Sequence, residues 1–98
     1  MAEIRFEWDP RKNAQNKHKH GVAFEEAETV FADEHARLID DPDHSTTEDR
    51  FVLLGLSSKF RVLLVVHGYK EEDEVIRIIS ARRATRSERL LYDERWQA

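Results

Sequence analysis

Val62-Leu63-Leu64-Val65-Val66 constrains the fold more than any other stretch: five consecutive apolar residues, with no polar member to turn toward water. A strand sends alternate side chains to opposite faces, so such a run is buried only when both faces are covered. It is far too short to cross a bilayer. The run therefore predicts the central strand of a sheet, over Arg61–His67, with a layer packed on each side. Phe51–Leu56 before it and Val75–Ser80 after it are also rich in Val, Ile and Leu. The separators, Ser57-Ser58-Lys59 and Gly68 through Asp73, have the length that joins adjacent antiparallel strands.

The flanking segments supply the layers. Ile4-Arg5-Phe6-Glu7-Trp8 alternates apolar with charged residues, the period of a strand with one buried face. Asp9 then caps and Pro10 opens a helix to about His20, which Gly21 ends. A second helix carries Phe24, Ala27, Val30 and Phe31 on one stripe against Glu25, Glu26 and Glu28. Ala23 stands where a capping side chain is favoured, a loss of about 1 kcal/mol. Ala36–Ile39 reads as a short strand and Asp40-Asp41-Pro42-Asp43 as a turn. Thr85-Arg86-Ser87-Glu88 matches a capping box and opens a last helix whose Leu91, Tyr92 and Trp96 are expected to face inward. The order β-α-α-β-β-β-β-α predicts an α+β domain with a small, largely antiparallel sheet of four or five strands packed against helices.

The 98 residues suffice for one domain with one core, and 40 % hydrophobic residues against 37 % charged is a globular rather than a disordered balance. Cysteine is absent. That excludes disulfides, thiolate metal ligands and a cysteine nucleophile, and it fits a reducing compartment. The first residues lack the apolar core of a signal peptide, so a soluble cytoplasmic protein is expected.

The net charge is −4, yet residues 77–89 hold five arginines against the single Glu88. Such asymmetry points to a local anion site or to a solvated basic face. By regular alternation Arg77 shares a face with Val75 and Ile79, while Ser80 and Arg82 continue the face of Ile76 and Ile78. Arg77 reads either as a marginal guanidinium paired with Glu74 or another carboxylate, or as a phosphate clamp, since its planar fork matches two phosphate oxygens. Arg82 and Arg83 fall in the expected strand-to-helix turn, where coming helix N–H groups also favour an anion. Arg86 and Arg89 read as helix surface, Arg89 within reach of Asp93.

Lys17-His18-Lys19-His20 offers two histidines two residues apart, which diverge on a helix, so a metal site is not expected. The histidines suit a helix C-terminus electrostatically, and they are also of the type that carries protons near neutral pH. His67 reads as a hydrogen-bonded strand residue. Ser80 has no identifiable base, and Glu25-Glu26 do not converge as a carboxylate pair.

Taken together, Phe6-Glu7-Trp8-Asp9-Pro10 with Lys12, Asn16, Lys19-His20-Gly21-Val22, Phe24-Glu25-Glu26-Ala27, Val30-Phe31, Arg50, Gly55, and Ile76 through Thr85 with Glu88 and Tyr92 resemble the BrnT toxin family. The resemblance spans nearly the whole chain. It implies the toxin half of a type II toxin–antitoxin pair, a fold similar to RelE and ParE, and metal-independent RNA cleavage that inhibits translation, with no cofactor. It implies as partner a BrnA-type antitoxin whose ribbon-helix-helix part binds operator DNA, in a complex that can hold a second copy of the toxin. Carried over residue by residue, it singles out Lys19, His20, Arg77 and Arg82 as catalytic candidates and Arg50, Ser80 and Arg83 as phosphate contacts. His20 would act as acid or base beside Lys19, with Arg77, Arg82 and Arg83 on phosphate. Loss of Arg77 or Arg82 is then expected to stop cleavage while leaving stability nearly unchanged. Two other functions fit the same fold: a non-catalytic antitoxin partner in a DNA-bound autorepressor, and a toxin with a different target. An acidic surface is awkward for RNA, so binding would rest on a small basic groove and weaken steeply with salt.

Overall fold

The computed structural model describes residues 4–40, 50–70, 72 and 74–97, with backbone alone for 95–97. The expected turn at 40–43 lies almost wholly outside these residues, and so does the packing of Trp96. The elements are β1 (Arg5–Glu7), α1 (Pro10–His20), α2 (Phe24–Thr29), a 3-10 turn (Val30–Ala32), β2 (Arg37–Ile39), β3 (Phe51–Leu56), β4 (Val62–Lys70), β5 (Val75–Arg83) and α3 (Arg86–Gln97). They form one five-stranded sheet in the order β1-β5-β4-β3-β2, antiparallel except where β1 runs parallel to β5.

The apolar run is at the centre of this sheet, and both its faces are covered. Leu63 and Val65 meet Val22, Phe24, Ala27 and Val30 of the α1–α2 layer, with Leu53, Ile78 and Ala81 beside them. Leu64 and Val66 turn the other way, to Val52, Leu54 and Tyr92 under α3. Two differences from the sequence reading matter later. β4 continues through Gly68-Tyr69-Lys70, and β5 continues to Arg83, because each strand keeps a ladder partner in the other. Arg82 and Arg83 are thus strand residues, not turn residues.

Helix ends follow local chemistry. Asp9 accepts from the N–H of Arg11, Pro10 occupies the first helical position, and Gly21 closes α1 in the left-handed region at φ 70°. Ala23 gives α2 no side-chain cap. Another element braces this end instead: Asn13 on α1 accepts from the N–H of Phe24, the first residue of α2, and donates to the Glu25 carboxylate. At α3 the capping box forms as expected, with Glu88 N–H on Thr85 Oγ1 and Thr85 N–H on Glu88 Oε1. Tyr92 is buried, but Leu91 is 39 % exposed, so the expectation that Leu91 faces inward does not hold.

Buried polar groups lock the layers. Glu26, 5 % exposed, is held by Arg61 and by Ser57 Oγ at 2.6 Å, and Arg61 also donates to the Gly21 carbonyl. Asp33 accepts from Leu56 N–H at 2.8 Å and from the Tyr92 hydroxyl at 2.7 Å. Bonds from Arg61 hold Glu26 below the ordinary carboxylate range, outweighing its burial. For Asp33 burial pushes upward, and the donors together outweigh it. Arg82 likewise lowers Glu88.

His67 is fully buried, with Nδ1 3.2 Å from the Val65 carbonyl and Nε2 3.2 Å from the Tyr69 hydroxyl. A carbonyl can only accept, so Nδ1 carries the proton and Nε2 accepts from tyrosine. Burial lowers the His67 pKa, keeping the ring neutral.

These directions fix how stability responds to acid. Below about pH 6.5 the unfolded histidine takes up a proton that the folded one resists, so stability begins to fall. Below about pH 4.5 the unfolded carboxylates bind protons that Glu26, Asp33 and Glu88 resist, and it falls faster. Chemical denaturation across pH 4 to 8 is expected to show both stages. The first should vanish in His67→Phe, and a flat profile between pH 5 and 6.5 in the wild-type chain would show that the fold does not resist protonation of His67.

Candidate functional site

The arginines of β5 are arranged by an irregularity in its ladder. Val66 pairs with Ser80 but His67 pairs with Ile78, so Ile79 is an extra residue, a β-bulge. Directly opposed residues share a face. Ser80 and Arg82, opposite Val66 and Leu64, therefore stand on the α3 side, where Ile79 also packs. Arg77 is on that side too, opposite Gly68, which alternates with Val66. Strict alternation predicted Arg77 on one face and Ser80 and Arg82 on the other. The bulge corrects this, setting all three in one half-exposed row beside α3, about 13 Å long from Arg77 to Arg82 by the rise of a strand.

Each end of the row is built around a carboxylate. Arg77 Nη1 donates to Glu7 Oε1 at 2.9 Å, and Lys70 Nζ donates to the same oxygen at 2.8 Å. Two cations thus share one anion. The two hydrogen bonds, that of Lys70 foremost, lower the Glu7 pKa. The partner of Arg77 is Glu7 rather than Glu74, because β1 lies against β5 in parallel register and places Glu7 opposite it. Arg50 is exposed and immediately precedes Phe51, whose ladder partner is His67. It stands just outside β3, at the end of the sheet where Gly68 pairs with Arg77. Lys70 and Glu7 escaped the sequence reading because both belong to strands that join this cluster only through the ladder.

At the other end, Arg82 grips Glu88 with both terminal nitrogens, at 2.8 and 3.0 Å, and also donates to the Arg83 carbonyl. Glu88 is at once the capping residue of α3, so Arg82 fastens β5 to the helix start. The side chains are 23 % and 11 % exposed. This geometry makes Arg82 a tie between β5 and α3, so its loss is expected to cost stability rather than to spare it.

Lys19 and His20 lie elsewhere. Asn16, 7 % exposed, donates to the carbonyls of Ala81 and Val22 at 2.7 and 2.8 Å and accepts from Ala81 N–H at 3.1 Å. Beyond Glu7 there is no β1 to pair with β5, and one asparagine side chain takes over that edge. His20 follows Asn16 by one helical turn, and Gly21 beside it is tied to Arg61 at the start of β4. This is the end of β5 where Arg83 sits, exposed and on the α1 side opposite Leu63. The last turn of α1, with Lys19 and His20, therefore lies toward the Arg83 end of the sheet. Arg77 is six residues away from Arg83 along β5 and on the other face. Among the described residues no three His, Cys, Asp or Glu side chains are placed to hold a metal ion.

A cationic row on a sheet face is compatible with many anions, and comparison with known proteins narrows the choice. A family model described as "Ribonuclease toxin, BrnT, of type II toxin-antitoxin system" matches residues 8–88. The chain belongs to the BrnT family. The crystal structure of the Brucella abortus ribonuclease toxin BrnT is similar, with a TM-score of 0.63 and 24 % identity over 88 % of this chain and 100 % of that one. At that identity the likeness speaks for the fold. No curated protein matches the chain. The stretch matched by the BrnT model contains Lys19, His20, Arg50, Ser80 and the arginines of β5, and it ends on Glu88, the residue that ties Arg82 to α3. No described helix is long and apolar enough to span a membrane.

Proposed function

We propose that this BrnT-family chain is an endoribonuclease toxin of the cytoplasm, with a fold of the RelE kind, which cleaves RNA without a metal, stops translation and is held inactive by a BrnA-type antitoxin. The observation that carries the reading is the bulge-aligned row of Arg77, Ser80 and Arg82 on one face of β5, with Lys70 at its end; Arg50, just outside β3, is assigned to phosphate at that same end. In metal-free cleavage the ribose 2′-oxygen attacks the adjacent phosphorus, its proton goes to a base, and an acid protonates the departing 5′-oxygen. The charge on the phosphorane then falls to guanidinium and ammonium groups. Arg77 is best suited to this: it is half exposed, and its carboxylate partner already serves a second cation. Arg82 acts as a positioning residue. Lys19, His20 and Arg83, at the far end, are assigned to a neighbouring phosphate or to proton transfer on a strand that wraps the sheet edge.

The test is cleavage of a defined single-stranded RNA by the purified chain with and without EDTA, alongside growth after induced expression alone. Cleavage insensitive to the chelator, with growth arrest, is expected. Arrest with intact RNA would favour a different cellular target, and neither arrest nor cleavage would leave only the non-catalytic antitoxin partner.

A further inference from the structure

On the face away from the arginine row, the same end of the sheet carries a groove of about 580 Å³. Ile4, Phe6, Phe31, Ala32, Tyr69 and Ile76 line it, with Glu28 and Thr29. Its wall is rigid: Phe31 and Tyr69 set their rings edge-on to His67 at centroid distances of 4.8 and 5.2 Å, and the Tyr69 hydroxyl is held by that histidine. Ile4 is nonetheless 60 % exposed and Tyr69 37 %. In a chain that is 37 % charged, such a patch of large apolar side chains marks a contact surface.

Three further features specify the occupant. β1 is an edge strand, and Arg5 N–H is spent on Glu74 across to β5. In a parallel pair successive residues point their backbone groups to opposite sides, so Phe6 directs its N–H and C=O outward, where another strand can pair. Glu28 is half-buried, and its carboxylate makes no ion pair with a described residue. A lone carboxylate beside an apolar groove repels RNA and suits a basic side chain of a protein. Finally, a strand laid along β1 would turn its alternate side chains to the other face, beside Arg5, Glu7 and the cations that Glu7 holds.

We propose that this groove and the β1 edge are the docking site of the antitoxin: an extended segment adds to β1, sets apolar side chains into the groove and a Lys or Arg on Glu28, and covers the approach to Arg77 with its other face. The proposal rests on the toxin reading above.

The probe is the full-length product of the reading frame adjacent to this chain's own, titrated against the wild type and against Ile4→Lys, Ala32→Lys and Glu28→Lys. None of these residues belongs to the arginine row. Ile4 and Ala32 are exposed, so the fold is retained, which a thermal melt verifies. Each substitution is expected to weaken binding at least tenfold, and to release RNA cleavage from inhibition, while the rate without partner stays at the wild-type value. Wild-type affinity in all three variants would overturn the site while leaving the toxin reading intact. Lost cleavage with unchanged partner affinity would make the groove an RNA surface, and loss of self-association alone would make it an interface between copies; either overturns the proposal. A wild-type chain that neither cleaves RNA nor binds the probe would overturn the toxin reading and this site with it.

Discussion

Asn16→Ala is expected to lower the melting temperature by on the order of 15 °C, one of the two largest effects of any single substitution foreseen for this chain. The side chain satisfies three backbone groups, the N–H and C=O of Ala81 and the C=O of Val22. Each buried group left unpaired costs about 1 to 3 kcal/mol, and admission of water to the truncated site brings the total to about 3 kcal/mol. For a domain of this size 1 kcal/mol moves the midpoint by about 4 to 8 °C. Asn16→Asp separates hydrogen bonding from shape. It keeps the acceptor for Ala81 N–H but turns a carboxylate toward two carbonyl oxygens. That environment raises the carboxyl's pKa above its unfolded value, so part of the lost stability should return as pH falls and the protonated carboxyl regains one of the two donated bonds. A melting temperature for Asn16→Ala within about 3 °C of the wild type would mean that β5 holds its edge without this side chain.

The second large effect is on catalysis. Arg77→Ala is expected to reduce RNA cleavage by on the order of 100-fold, the usual loss when one preorganised donor to transition-state charge is removed. The cost in stability should be small. Its pair with Glu7 is well exposed, and exposed pairs contribute little because water screens them; Lys70 also remains on the same carboxylate oxygen. Arg82→Ala should do the reverse in part, destabilising the chain by about 1 to 2 kcal/mol because a charge-assisted pair of hydrogen bonds to a nearly buried carboxylate is lost. Single-turnover rates on folded protein distinguish the two roles. Undiminished cleavage by Arg77→Ala would reduce Arg77 to a structural partner of Glu7. Glu7→Gln offers an opposite check: without the shared anion, RNA binding should tighten and depend more steeply on salt.

Much of this architecture can be read from the chain. The two-faced apolar run announces a central strand, and local chemistry at Asp9-Pro10, Gly21 and Thr85 through Glu88 sets the helix ends. Candidate site residues were legible by type, because arginine in an acidic chain is conspicuous. Their arrangement was not. Alternation has a period of two only while the ladder is regular, and nothing in Ile78-Ile79-Ser80 declares that one residue will be left without a partner. Glu7 and Lys70 were hidden for a related reason: their meeting with Arg77 depends on β1 crossing to lie parallel beside β5, a long-range fact. Nothing in the helical stretch around Asn16 shows that its side chain completes the edge of a strand 65 residues further on.

The bulge also says where this strand can change its length. In a regular nine-residue strand, removal of any one residue would carry everything after it to the wrong side of the sheet. Here Ile79 and Ser80 already face the same way, so deletion of Ile79 would heal the ladder and leave Arg77, Ser80 and Arg82 where they are. β5 therefore contains one spare residue. A relative shorter by one at this point could keep the arginine row.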